Sequence, residues 1–422
     1  MHLQFDENKS QMSSGSPLDT LVVLIVMASI FMPRIPLTSA FTIALDEVLV
    51  LFVLPFLYLL SRSNLHNGYA YLFFGYIFST VFSTIYGYTF FEIRFSERDL
   101  LEIIRNSRYI FIILYVACCN HQILVRHMNM FFVVGSYFVV VIAFLQYTNM
   151  FDMGRWLGKL YSTEHHTLSM LTGSKRVVVT GGDPNTGAAV VIYFFVYNYV
   201  KYIVFRKTTN VVLVALLGIA IILTSSRTGI IASALPLVLG GILLGKNNFL
   251  PQVLVFALVG LGVIYIIPKM EYIVVGLDLA LKGENTSMEN RYQSWEMAYY
   301  YFKQSPFFGW GPAKSDFKTV VDGEYFLVLR RYGAIGFILL MTVIYYVPLV
   351  ALSRLKSIEK NDNYVLALTL IFYSASAMVI MLTNNFFHSY KLFTLYVTLA
   401  SLVYFLLAPR THKKDRANTL FG

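Results

Sequence analysis

Charge is scarce in this sequence. Asp, Glu, Lys and Arg together make up 13% of its 422 residues, against about a quarter in ordinary soluble domains, and that shortage excludes a soluble enzyme. Cysteine is nearly absent. The two present, Cys118 and Cys119, are adjacent within an apolar run, so a disulfide framework or thiolate metal site has nothing to build on, and both read as small packing residues. The opening stretch from Met1 to Asp19 lacks the basic segment of a signal peptide and is expected to stay attached and cytoplasmic. Apolar residues run continuously instead of alternating, which argues against a β-barrel. Neither a repeat of solenoid length nor an inverted duplication of hydropathy is evident.

Hydrophobicity is what remains, at 57% apolar residues and a mean hydropathy of +0.62. Runs of about twenty apolar residues, each long enough to cross a hydrocarbon layer of about 30 Å as a helix, recur from Leu18 to Ala408. The expected fold is all-α: one polytopic integral membrane domain over residues 1–422 with about twelve helices. They are placed near residues 18–33, 40–60, 68–91, 109–125, 129–148, 186–205, 210–225, 228–245, 249–268, 333–352, 364–384 and 390–408. Short basic clusters at Lys201, Arg206 and Lys207, at Lys246, at Arg354, Lys356 and Lys360, and from Arg410 to Arg416 mark the cytoplasmic side. An even number of crossings then puts both termini there.

That topology sends residues 91–108, the loop 149–185 and the large loop 269–332 outward. Together with the outer helix ends they hold more than half of the 33 basic residues in a chain of net charge +10. Positive potential gathered on one face suits an anionic ligand, though solvated loops or anionic lipid head groups account for it too. Within 91–108, Leu100, Ile103 and Ile104 share one helical side, and Arg98, Glu102 and Arg105 another. The segment is expected to lie along the interface with internal ion pairs, or to turn Arg105 or Arg108 toward a substrate cavity.

Three stretches carry candidate chemistry. In Thr224-Ser225-Ser226-Arg227-Thr228-Gly229, an arginine stands where two hydrophobic helices meet. A charge there needs a partner or a water-filled cavity unless it snorkels to the interface; backbone N–H groups near Gly229 and the helix end could complete an oxyanion site. Upstream, Lys175 and Arg176 precede Gly181, Gly182, Asp183, Pro184 and Asn185. Asp183 there can cap a helix, or the glycines can let backbone approach a ligand charged against Arg176. The largest loop offers Asn290, Arg291, Trp295 and a row of aromatics suited to an interfacial belt or to sugar faces. After Pro306, Gly309 and Gly311 come Asp322, Glu324 and Tyr325, then Arg330 and Arg331 at the mouth of a helix.

The Thr-Ser-Ser-Arg-Thr-Gly turn, Asn-Arg-x-x-x-Trp, Pro-x-x-Gly-x-Gly and Tyr-Phe-Leu-x5-Gly-x-x-Gly, in that order, resemble the O-antigen polymerase and ligase superfamily. The specific part runs from Asp183 to Gly336. The resemblance implies an integral-membrane glycosyltransferase of the bacterial inner membrane, its active site facing the periplasm. Its donor would be an undecaprenyl-pyrophosphate-linked glycan, and the chemistry would need no metal or other cofactor. It implies Arg227 and Arg291 as leading pyrophosphate ligands, with Arg176, Asp183, Asn185, Ser226, Trp295, Tyr325, Arg330 and Arg331 contributing to substrate binding. Expected partners are that lipid-linked glycan, membrane lipids, a chain-length regulator and a flippase, with no nucleic acid. Ligases carry His-Asn-x-Tyr where this chain reads Asp322-Gly323-Glu324-Tyr325. The missing histidine favours the polymerase branch, with Asp322 or Glu324 as general base, while either carboxylate could instead pair with Arg330 or Arg331. His165, His166, and His388 beside Asn384 and Asn385 are held in reserve as bases or interfacial hydrogen-bonding groups. The rivals are a ligase with an altered base and a transporter or lipid flippase.

Overall fold

Lipid offers no hydrogen bonds, so a chain this apolar must satisfy its backbone internally, and helices do so segment by segment. A computed structural model describes residues 17–33, 35–36, 42–50, 68–172, 175–244, 260, 274–275, 278–279, 282, 286–317 and 321–408. Among them, apart from a two-residue antiparallel pairing of Ile35–Pro36 with Thr42–Ile43, the regular structure is helical. The early helices are α1 (Pro17–Phe31), α2 (Leu45–Val48), α3 (Gly68–Phe90), α4 (Glu97–Cys118), α5 (His121–Thr148), α6 (Met153–Tyr161) and α7 (Glu164–Leu171). They are followed by α8 (Pro184–Phe205), α9 (Thr208–Leu223), α10 (Arg227–Leu244), α11 (Thr286–Gln304), α12 (Glu324–Arg354), α13 (Asp362–Thr383) and α14 (Tyr390–Leu407). The protein is an all-α membrane protein.

Six of the described helices, α3, α5, α8, α12, α13 and α14, are long and apolar enough to cross a membrane, and α1, α9 and α10 are shorter apolar helices. Each falls on an expected span. The spans expected at 40–60 and 249–268 lie largely outside the described residues. One boundary differs: the expected break at 126–128 falls at Cys119 and Asn120 instead. The Asn120 side chain accepts from the backbone of Gln122 and Ile123, and its own N–H donates to Asp19 Oδ1 at 2.9 Å, so the helix restarts there with a cap. The segment expected to lie along the interface is likewise continuous with the span that follows it. Ser96 caps α4 by accepting from Arg98 N, and nothing interrupts the helix before Cys118.

A helix apolar on every side belongs in the middle of a bundle. In α8, 83% of the most apolar stretch is buried, and the helix packs against α5, α9, α10, α13 and α14. α3 and α12 pair at the periphery, with 44% and 39% buried. This arrangement brings the starts of α4, α8, α10, α12 and α14 to one end of the bundle, together with the end of α13.

α12 is broken at Gly333, where φ is 62° and ψ is −166°. The turn after α11 fills the break: Trp310 N and Gly311 N donate to the carbonyls of Arg330 and Arg331, and Ala334 N and Ile335 N donate to those of Pro306 and Phe307. This ladder explains the spacing of glycines in both motifs. A Cβ on Gly333 would lie 2.3 Å from the Phe307 carbonyl oxygen, and one on Gly309 would lie 2.5 Å from the Arg331 backbone. Gly333→Ala therefore combines a left-handed backbone with a backbone clash. Its expected cost is about 3 kcal/mol or more, read as a large fall in melting temperature and folded yield in detergent. A wild-type melting curve would remove the ladder from its role.

Candidate functional site

The most heavily engaged charge at this end of the bundle is Glu102 of α4, which is buried. Its Oε1 accepts from Arg331 Nη1 at 2.7 Å and from the Tyr332 hydroxyl at 2.8 Å, and its Oε2 lies 2.6 Å from Lys314 Nζ. Lys314 is delivered by a loop pinned to α4, since Asp99 Oδ1 accepts from Lys314 N and Ser315 Oγ donates to the Arg94 carbonyl. Burial by itself would raise the Glu102 pKa, but Arg331, His388 and Lys314 outweigh it and hold the carboxyl well below its ordinary range.

His388, in the turn between α13 and α14, completes the group. Its Nδ1 lies 2.5 Å from Glu324 Oε1 and its Nε2 lies 3.1 Å from Glu102 Oε1. Glu324 is enclosed as well, and its Oε2 accepts from Phe387 N at 2.8 Å. An imidazole with a carboxylate at each nitrogen is best satisfied as the doubly protonated cation. The 3.3 Å approach of Arg331 Nη1 to Nε2 is then a contact between two donors that share Glu102. Nearby, Arg105 lies 3.3 Å from Glu47, and Arg108 lies 3.4 Å from both Asp46 and Glu47.

A second group forms at the start of α10. Ser226 Oγ accepts from Gly229 N and donates to Asn185 Oδ1 at 2.9 Å. Thr228 Oγ1 accepts from Thr383 at 2.7 Å. The expected oxyanion role for backbone near Gly229 meets a competitor here, because the Ser226 cap takes that N–H. The small size of Gly229 instead admits the side chain of Ala188 in α8. Arg227, half-buried, is the first residue of α10. Asp183 caps α8 through Asn185 N and Thr186 N. The irregular stretch leading from Arg176 to Asp183 is clamped by Gln146, which accepts from Val178 N and Val179 N and donates to Val179 O. His166 lies near Asp183 and Arg176, and burial lowers its pKa.

The third group is Arg291, Trp295 and Asp322. Arg291 Nε lies 3.7 Å from Asp322 Oδ2, and the Trp295 indole donates to the Asp322 carbonyl while its ring stacks on Phe326. The two candidate bases differ sharply: the Asp322 side chain is 54% exposed, that of Glu324 0%. Neither pairs with Arg330 or Arg331 as the sequence allowed. Arg331 goes to Glu102, and the buried Arg330 guanidinium lies 4.3 Å above the Phe317 ring. The Tyr325 hydroxyl donates to the Met378 carbonyl. Residues 382–385 bridge the second and third groups. On one side Thr383 reaches Thr228 and Asn384 donates to Thr186; on the other Asn385 donates to the Val321 carbonyl, and Leu382 O packs against Gly323.

Sequence reasoning missed Lys314, Asp46 and Glu47, and read Glu102 only as a helical neighbour of Arg98 and Arg105. His388 stood in reserve. A buried acid flanked by arginines in an otherwise apolar chain was the signal available. Burial would lower the His388 pKa, but Glu324 and Glu102 more than reverse this and hold it at about 9. A folded pKa above the ordinary 6.5 contributes stability that is complete below pH 6.5 and is lost as pH rises through about 9, up to about 3 kcal/mol. The melting temperature should therefore decline between pH 7 and 9.5, and His388→Gln should lower it at pH 6.5 and flatten that decline. Parallel profiles for the two proteins would count against the imidazolium.

The three groups are supplied by separated parts of the chain, and the segment that carries Arg227, Arg291, Asp322 and Arg331 is the one with a known counterpart. The family model Wzy_C, O-Antigen ligase, matches residues 212–341. No curated protein matches the chain. The matched segment runs from α9 through the glycine break of α12, which takes in both the Arg227 turn and the Arg291–Asp322 pair. Residues 212–341 are thus similar to the Wzy_C, O-antigen ligase family, and an all-α membrane chain carrying that segment is consistent with the O-antigen polymerase and ligase superfamily.

Proposed function

We propose that this protein is a membrane glycosyltransferase that polymerises undecaprenyl-pyrophosphate-linked repeat units on the periplasmic face of the bacterial inner membrane. The observation that carries the proposal is the stretch 382–385, which touches both the Arg227 turn, through Thr383 and Thr228, and the residues on either side of Asp322, through Asn385 and Leu382. Two arginines at such a junction can take a pyrophosphate bidentately and offset the charge that develops as it leaves. An accessible carboxylate stands beside them.

In the proposed reaction an acceptor hydroxyl attacks the donor's anomeric carbon. The bond from that carbon to the pyrophosphate oxygen breaks, the electron pair leaves with the lipid pyrophosphate, and the hydroxyl proton passes to Asp322. Arg227 and Arg291 hold the leaving group, with Arg176 as a further cation, and no metal is required. One displacement inverts the anomeric centre. Trp295 stacked on Phe326 shapes the groove for the glycan. Glu324, enclosed by His388 and Phe387 N, acts by holding the last turn in place. Chain-length regulator and flippase are the partners such a polymerase would meet.

A ligase reading has one specific observation in its favour. The histidine absent before α12 has a counterpart in space, since His388 abuts Glu324. Purified protein given lipid-linked repeat units should produce a ladder of longer glycans if it polymerises. Transfer of finished glycan to a lipid core, with no ladder, would establish the ligase instead.

Arg227→Ala and Arg291→Ala should each nearly abolish the ladder at normal membrane levels, each removing roughly 2–4 kcal/mol of transition-state stabilisation. Lys should restore little, because an ammonium has no planar fork. Unchanged ladders would exclude these arginines.

Asp322→Asn should lower turnover roughly 10²–10⁴-fold with the melting temperature unchanged, whereas Glu324→Gln should lower the melting temperature. An active Asp322→Asn beside an inactive, fully stable Glu324→Gln would move the base to Glu324.

A further inference from the structure

A polar cavity of about 220 Å³ opens between α4, the Lys314 loop, the start of α12 and the turn 385–390, lined among others by Glu102, Arg105, Asn106, Lys314, Asn385 and Tyr390. Apart from Arg331 and Asn385, whose amide reaches the carbonyl before Asp322, it is built from residues that neither the pyrophosphate positions nor the base use. Its cations are already committed. Arg105 pairs with Glu47; Arg108 with Asp46 and Glu47; Lys314 and Arg331 with Glu102; and His388 with Glu102 and Glu324. Five cationic side chains face four carboxylates, so a multiply charged pyrophosphate would have to break ion pairs that are costly to separate once buried.

Hydroxyl groups make no such demand. Paired guanidinium, ammonium and carboxylate groups retain N–H donors and lone pairs for neutral ligands. Two amides add to them. Asn106, 5% exposed, and Asn385 each keep one buried amide atom without a hydrogen-bond partner, Nδ2 in Asn106 and Oδ1 in Asn385. Buried polar groups left so are costly and point to a ligand that satisfies them. Tyr109 and Tyr390 also line the cavity, which at this volume is smaller than a pocket for a drug-sized ligand. Asn385 also reaches the Val321 carbonyl, next to Asp322.

We propose that this cavity holds one sugar unit of the acceptor glycan through its hydroxyl groups, with Asn106 and Asn385 as the reading side chains. The assignment rests on the glycosyl-transfer reading for its ligand and adds a subsite separate from the arginines that take the pyrophosphate.

The probe is the lipid-free repeat-unit oligosaccharide, released by mild acid from the lipid-linked pool of the producing cell and titrated calorimetrically into the full chain in detergent. Asn106→Leu and Asn385→Leu should each weaken its binding at least tenfold, a site built for hydroxyls being intolerant of apolar replacement. Arg227→Ala should leave that affinity within twofold, and inorganic pyrophosphate should not displace the glycan. Should Asn106→Leu fail to fold, Asn385→Leu, in a half-buried turn position, decides the matter. Wild-type affinity in Asn385→Leu, displacement by pyrophosphate, or no binding to the wild type would each overturn the subsite. A wild type that binds the glycan as described but transfers nothing from lipid-linked repeat units would instead overturn the glycosyltransferase reading and leave the sugar subsite standing.

Discussion

A carboxylate taken out of water is tolerated only where donors replace its hydration, and Glu102 obtains four of them from three distant segments: Arg331 and Tyr332 from α12, Lys314 from the preceding loop, and His388 from the last turn. Removing one charged partner would leave buried charge among the others less fully compensated. The arrangement therefore acts as a single tie across the end of the bundle. Its far side reaches the proposed site indirectly. The turn that carries His388 also carries Asn384 and Asn385, which bond to Thr186 and to the carbonyl before Asp322.

The tie depends on backbone geometry one turn further along. Arg330 and Arg331 are neighbours, and consecutive residues of a helix point about 100° apart. With α12 broken at Gly333 and zipped to the 306–311 turn, Arg331 turns inward to Glu102 while Arg330 is laid on Phe317. The carbonyls that a broken helix would leave unpaired are taken by Trp310 and Gly311. Thus the glycine-rich turn closes a backbone gap and at the same time fixes which arginine enters the charge network. Arg291 and Asp322 pair beside this assembly, with the carboxylate exposed and the guanidinium side chain largely enclosed.

Much of this was legible residue by residue. Hydropathy located α3, α5, α8, α13 and α14 because a bilayer imposes a length and a composition on anything that crosses it. The Arg227 turn was recognisable because hydroxyls and a cation interrupt apolar sequence at one place. The break between α4 and α5 was misplaced because the eye follows hydrophobicity, whereas Asn120 ends a helix by capping the next. Asp322 and Glu324, two positions apart, were indistinguishable in the sequence. The fold leaves one in solvent and encloses the other between His388 and Phe387.

Legible in the residues alone were an all-α membrane chain and, in its arginine-bearing turns, a resemblance to the O-antigen polymerase and ligase superfamily. Those properties are local, set by the period of a helix and by the cost of placing charge in lipid. Which cation meets which carboxylate was settled by packing. Glu102 and His388 are 286 residues apart in the chain, and no spacing rule reaches that far. Ion pairs form where packing brings groups within a few ångströms, so partner choice follows from how α4, α12 and the last turn stack against one another.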